Sequence, residues 1–295
     1  MEKPGKRTTS AARAERMVWR GREAYYQLEY SFRKNVGGHA FVGEFINLKI
    51  VPPAEGGVLA GAAKSKRADR GSLKDRVVKR DSGDVLIEGV PMVDQGSKGY
   101  CAVASAERVL RYYGLEVDQH EMAQIAQASA AFGTDTSFMV EALEKVAGRL
   151  KVRVRTEFEI DDRDFDHILR AYNRSAKKSG ATEPIDIPRG RVLNPVYLLH
   201  DGHPETLKEA RATGLKYERF KKAVVDNINI GVPLLWSLYL GIFPEADIPP
   251  PSGGHMRIIT GYNAEAGELI YTDSWGAGHE EKRMKFDEAY TMTLG

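Results

Sequence analysis

The last third of the chain limits the fold more than any other stretch. Three apolar, β-prone segments, Pro233 to Leu240, His255 to Tyr262 and Glu268 to Asp273, follow one another closely. Short runs of this kind, bounded by turn residues, read as strands. The last two flank Asn263-Ala-Glu-Ala-Gly267, a hairpin turn. Upstream, the periodicity is helical. Cys101 to Tyr113 sets Val103, Ala106, Val109, Leu110 and Tyr113 on one side and stops at Gly114. Asp118 opens a second helix, with Glu121 in capping-box position, and a third runs from about Thr136 to Ala147. Asp161 to Lys178 reads as helical, as does Pro204 to Asn229 with a break near Gly214. Val85 to Val90, Lys151 to Arg155 and Arg191 to Leu199 read as further short strands. Helices first and an antiparallel sheet later make an α+β fold.

Charge divides the chain differently. Residues 1–90 hold 18 Lys and Arg against 11 Asp and Glu, and the remainder holds 25 against 30. In the basic part, Arg13 to Arg33 reads as one helix and Ala40 to Val51 as a strand stopped by Pro52-Pro53. Glu55 to Asp84, rich in Gly, Ala, Lys, Arg and Asp, reads as a linker. The expected organisation is a basic leading segment and linker over 1–84, serving as a prosegment or accessory domain, and a main domain over 85–295.

Composition removes several functions. A net formal charge of +2 lacks the basic excess of a dedicated nucleic-acid binder. One cysteine, Cys101, excludes an intrachain disulfide framework and any multi-cysteine metal or iron–sulfur site. The longest apolar stretch, Val232 to Phe243, falls short of the ~20 residues that span a bilayer. Met1 to Arg16 carries no apolar signal-peptide core, so the expected setting is the cytosol, or an exported form with its signal removed.

The chemistry gathers at Val90-Pro-Met-Val-Asp-Gln95-Gly-Ser-Lys-Gly-Tyr-Cys101-Ala-Val-Ala-Ser105. A cysteine in the first turn of a helix lies where unpaired N–H groups and the helix dipole favour negative charge. Both stabilise the thiolate, the nucleophilic form. Gly96 and Gly99 let the loop before it turn tightly and let a substrate backbone approach. Gln95 can fold back beside the sulfur and donate to an oxyanion. Downstream, His255 and Asp273 are equidistant from the hairpin turn, and residues so placed face each other across an antiparallel pair. A carboxylate there orients the imidazole. Cys101, His255 and Asp273 then supply nucleophile, general base and orienting group for acyl transfer. Trp275, two residues on, can cover the His–Asp pair. Gly99, Tyr100, Gly254 and Trp275 are the expected substrate-lining positions. His200-Asp-Gly-His203 reads as a turn before a helix, and no metal or organic cofactor is required.

These residues carry a resemblance. The Gln95-to-Cys101 spacing, the run Ala104 to Gly114 ending Arg-Tyr-Tyr-Gly, and Gly133-Thr134 resemble the C39-like branch of the papain-fold cysteine peptidases, as does Asp in the third triad position. Asp273-Ser-Trp-Gly276 is similar to the Asn-Ser-Trp-Gly signature of papain itself. The resemblance covers about Val85 to Gly295. It implies a helical subdomain carrying the cysteine, an antiparallel sheet carrying His and Asp, and hydrolysis of a peptide or amide bond. Ala102 stands where papain relatives usually have an aromatic residue. The same triad also suits transfer to an amine, as in transglutaminases and acyltransferases, and a peptide-binding module without catalysis remains open.

Overall fold

The computed structural model describes residues 5–9, 14–20, 25–31, 33–34, 41–42, 46–51, 70–95, 101–115, 153–160, 162–180, 182–185, 195–245 and 253–295. The chain divides into two compact units, one of Met1–Arg67 with Gln95–Val154, the other of Ala68–Asp94 with Arg155–Gly295.

The first unit contains an antiparallel sheet in the order β1 (Gly5–Thr9), β2 (Ala14–Arg20), β3 (Tyr25–Ser31) and β6 (Ile46–Val51). A separate pair joins β4 (Arg33–Lys34) to β5 (Phe41–Val42). The single helix expected over Arg13 to Arg33 is therefore corrected to the β2–β3 hairpin. Across the β3–β6 ladder, Tyr26, Leu28 and Tyr30 face Ile50, Leu48 and Ile46, a period-two apolar series that belongs to strands.

Helix α2 (Cys101–Tyr112) also belongs to this unit and follows the expected span. Every residue from Ala102 to Arg108 is buried, the polar Ser105, Glu107 and Arg108 included, and Glu107 pairs with Arg111 one turn on. It ends in a Schellman motif: the Leu115 N–H donates to the Leu110 carbonyl, the Gly114 N–H to that of Arg111, and Gly114 takes φ +77°. The helices expected from Asp118 and over Thr136 to Ala147 lie outside the described residues.

In the second unit a mixed helix and antiparallel-sheet arrangement is built on β10 (Gly253–Asn263). The sheet runs β12 (Lys282–Lys285), β11 (Glu268–Thr272), β10, β8 (Asp84–Ile87), β7 (Val77–Lys79). Strand β9 (Leu234–Leu240) pairs with residues 253–259 of β10, and β8 with residues 261–263, so both share the edge opposite β11. From Trp236 onward β9 is buried, and so is β10 from His255 onward. The strands carry apolar side chains on both faces for that reason. Short helix α1 (Arg70–Lys74) precedes β7. Residues 70–84, expected to be linker, thus hold α1 and β7, and β7 pairs with β8, which lies in the strand expected over Val85 to Val90.

Helices supply the rest. Helix α3 (Asp162–Ser179) buries Phe165, Leu169, Tyr172 and Ala176 at helical spacing. Full burial of such an apolar side chain contributes roughly 1.5–3 kcal/mol. Helix α4 (Pro195–Asp201) replaces the strand expected over Arg191 to Leu199 from residue 195 on, residues 191–194 lying outside the described ones; its proline sits at the first helical position, where a missing N–H costs nothing. Helices α5 (Pro204–Arg211) and α6 (Gly214–Asn229) break as expected before Gly214. Helix α7 (Phe286–Met292) closes the unit, and the carbonyls of Thr291 and of Thr293, which follows the helix, accept from the buried Arg211 guanidinium. Residues 153–155, expected in a strand, are irregular, while 151–152 lie outside the description. No helix among the described residues is long and apolar enough to cross a membrane.

Candidate active site

His255 is the third residue of β10 and pairs across the ladder with Leu238 of β9. Asp273 directly follows β11. Its backbone N–H donates to the His279 carbonyl at 2.9 Å, and the Thr272 hydroxyl donates to the same oxygen at 3.0 Å. These bonds fold the loop over 273–279 back on itself.

The two side chains meet: His255 Nε2 lies 2.5 Å from Asp273 Oδ1, with the residues 7% and 0% exposed. A carboxylate only accepts, so Nε2 carries the proton and donates it, which fixes the tautomer. The Ser274 N–H donates to the same oxygen at 3.0 Å. Trp275 stacks on the imidazole with ring centres 4.5 Å apart and planes 16° off parallel, and His279 meets the indole edge-on at 5.5 Å.

The expected neighbours are neighbours, but through a different register. Thr272 faces Ile258, where halving about the turn would have put Met256. Thr260 is an extra residue on β10, since Ile259 faces Tyr271 and Gly261 faces Ile270. Such a bulge shifts pairing and bends the strand. Contact is therefore made by Asp273 reaching across from beyond the end of β11.

Behind the pair lies a group that the sequence reading missed. Arg257 Nε donates to Asp273 Oδ2 at 2.7 Å, and Nη1 donates to Glu245 Oε2 at 2.8 Å. The Tyr271 hydroxyl donates to the same Glu245 oxygen. The guanidinium lies over the Tyr271 ring at 4.4 Å and near the Trp236 ring at 5.9 Å, an arrangement that suits a cation on aromatic faces. Burial by itself would push the Asp273 carboxyl upward, yet hydrogen bonds and charge from His255 and Arg257 hold it below its ordinary value. Burial likewise opposes the charged Arg257, and Asp273, Tyr271 and Glu245 outweigh it. The sequence did hold one signal: Arg257 sits two residues after His255, hence on the same strand face, amid an apolar run. Nothing local marks Glu245.

Cys101 opens α2 and is half-buried, and no carboxylate stands in that helix's first turn to compete for its positive end. Gln95 is buried. Both belong to the first unit. Gly99 and Tyr100 lie outside the described residues. Gly254 is exposed on β10 beside His255 and pairs with Tyr239. His200, next to last in α4, lies against Asp201 at 2.7 Å, and His203 precedes α5, as a turn between helices requires. No group of three or more His, Cys, Asp or Glu suited to a metal occurs among the described residues.

A protein-family model, that of the Peptidase_C39 like family, matches residues 189–294, the stretch that carries His255, Arg257 and Asp273. The match agrees with the resemblance drawn from the short motifs. No curated protein matches the chain.

Proposed function

We propose that this protein is a papain-like cysteine peptidase of the C39-like kind, hydrolysing a peptide or amide bond with Cys101 as nucleophile. The observation that supports this most is the buried His255–Asp273 contact under Trp275, inside the stretch matched by the peptidase family. The sequence order Gln95, Cys101, His255, Asp273 supplies the remaining parts.

In this reading His255, its Nε2 held by Asp273, handles the proton at Nδ1. It takes the Cys101 thiol proton, and the thiolate attacks the substrate carbonyl. The Gln95 amide and the Cys101 backbone N–H hold the oxyanion of the tetrahedral intermediate. The imidazolium then protonates the leaving amine, the C–N bond breaks, and a thioester remains. Water, deprotonated by the same nitrogen, attacks the thioester and releases the acid and the free thiol. Asp273 keeps the ring oriented and compensates the positive charge that it carries in mid-cycle. The substrate is a peptide or protein.

The test uses an electrophilic peptide probe on the full chain, followed by mapping of the labelled residue and assay of Cys101→Ala on a peptide library. Labelling at Cys101 near neutral pH and loss of all hydrolysis in the variant are expected. An unreactive Cys101, with cleavage that survives its replacement, refutes the proposal. With an amine added to the assay, the product remains the acid; an amide product instead assigns the chain to amine transfer.

A further inference from the structure

Arg257 is an odd residue for the middle of a buried strand. Its side chain is 0% exposed, and Nη2 is buried with no hydrogen-bond partner among the described residues. A well-packed apolar side chain at such a place is often as stabilising as a buried ion pair. Stability alone therefore does not account for it. What the guanidinium does is specific: it splits its donors between two carboxylates, Nε to Asp273 and Nη1 to Glu245.

We propose that Arg257 is a positioning residue for the His255–Asp273 pair, anchored by Glu245, and that it holds the Asp273 carboxylate charged and aimed at the imidazole. Three features carry this. Both oxygens of Asp273 have donors on different sides, His255 and the Ser274 N–H at Oδ1 and Arg257 at Oδ2, so the carboxylate plane is held. Arg257 is held in turn by Glu245 and by the ring of Tyr271, whose hydroxyl also ties Glu245. Finally, the charges balance in a useful way. Asp273 and Glu245 against Arg257 leave one net negative charge when the imidazole is neutral and none when it is protonated. The buried cluster thus takes up the mid-cycle proton without building up net charge.

Among the described residues, the charged and titratable groups near Asp273 include His255 and Arg257 from β10, Glu245 from the loop after β9 and Tyr271 from β11; in the loop that follows it stand His279, whose carbonyl receives the Asp273 N–H, and Gly276, against which the Asp94 carboxylate lies. Burial raises the Asp273 carboxyl, and Arg257 is one of the two residues that lower it. Removing the guanidinium therefore moves its titration upward. Catalysis would then be lost at a higher pH on the acid side.

The proposal rests on the peptidase reading only for its kinetic part. The test takes the full chain, labelled with carbon-13 at the aspartate carboxyl, as wild type, Arg257→Gln and Arg257→Lys. Nuclear magnetic resonance then follows the Asp273 titration, and kcat/KM is measured against pH. In Arg257→Gln the midpoint rises, because a hydrogen bond and a positive charge that favour the carboxylate are gone. The acid limb of activity moves the same way, and kcat falls ~10- to 100-fold with KM little changed. Arg257→Lys, which keeps the charge, recovers part of the titration shift. If Arg257→Gln does not fold, Glu245→Gln/Arg257→Gln, which also removes the stranded anion, is read identically. An Asp273 midpoint unmoved in a folded variant overturns the proposal and leaves Arg257 a packing residue. Loss of the peptidase reading is seen separately, as an inert Cys101 with the titration result intact.

Discussion

Trp275 shows how one side chain can govern the chemistry of another. Its indole lies flat on His255 at 4.5 Å, and His279 closes the outer edge. The stack keeps water from the His255–Asp273 hydrogen bond, which matters because such a bond is strongest where the local dielectric is low. Aromatic pairs of this kind contribute about 0.5–1.5 kcal/mol beyond their buried area. If that energy is felt in the transition state, Trp275→Ala should lower kcat/KM roughly threefold to tenfold on a peptide substrate. Trp275→Phe should keep most of the activity. Steady-state kinetics on the two variants decide the matter; equal losses in both would mean that the indole N–H, rather than the stacked face, is what counts. At this scale the sequence was informative where chemistry and spacing coincide: residue type and distance from the turn pointed to the His255–Asp273 contact. Arg257 was hidden because a lone arginine in a strand ordinarily reads as a surface residue, and Glu245 because its meaning depends wholly on a partner 12 positions away.

Elements were legible wherever local signals and packing agree. The α6 terminus is one example. The Val232 N–H donates to the Asn227 carbonyl and the Gly231 N–H to that of Ile228, a second Schellman closure, with Gly231 at φ +77°. A Cβ there would stand 2.1 Å from the Leu73 carbonyl oxygen. Gly231→Ala therefore meets both a left-handed backbone, worth about 1–2 kcal/mol, and a backbone clash. A loss of at least that size in chemical-denaturation stability is expected; a variant within experimental error of the wild type would contradict this account of the α1–α6 contact. The elements misread have a common cause. Residues 14–31 and 195–201 are short, mixed apolar runs in which three or four positions fit either period, and tertiary pairing decides. The β10–β11 hairpin was found, yet its register was not, because a bulge at Thr260 leaves no mark in composition.

Across the whole chain, distant segments are fastened by a few polar clusters. Asp84 accepts from Arg283 at both oxygens, 2.8 and 2.7 Å, as well as from Asn263 at 2.8 Å and Ser82 at 2.6 Å. Residues some 200 positions apart are joined there. Hydrogen bonds from Arg283, then Ser82 and Asn263, hold its carboxyl far below the ordinary range. A depressed carboxylate contributes stability that is fully present above its unfolded value, near 4, and is lost as pH falls through the folded one. Asp84→Asn should accordingly cost on the order of 1 kcal/mol at neutral pH, Arg283 being partly exposed. The gap between variant and wild type should close as the pH drops below about 4. Denaturation midpoints measured from pH 7 to pH 3 check both, and a gap that widens on acidification would show the sign to be wrong. The same fastening governs how the chain would survive being cut. Strands β7 and β8 are woven into the sheet beside β10, and Cys101 follows β8 along the backbone. A nick anywhere between α2 and residue 154 would free neither fragment: the piece bearing the sulfur stays moored, through β8, to the strand that bears the imidazole.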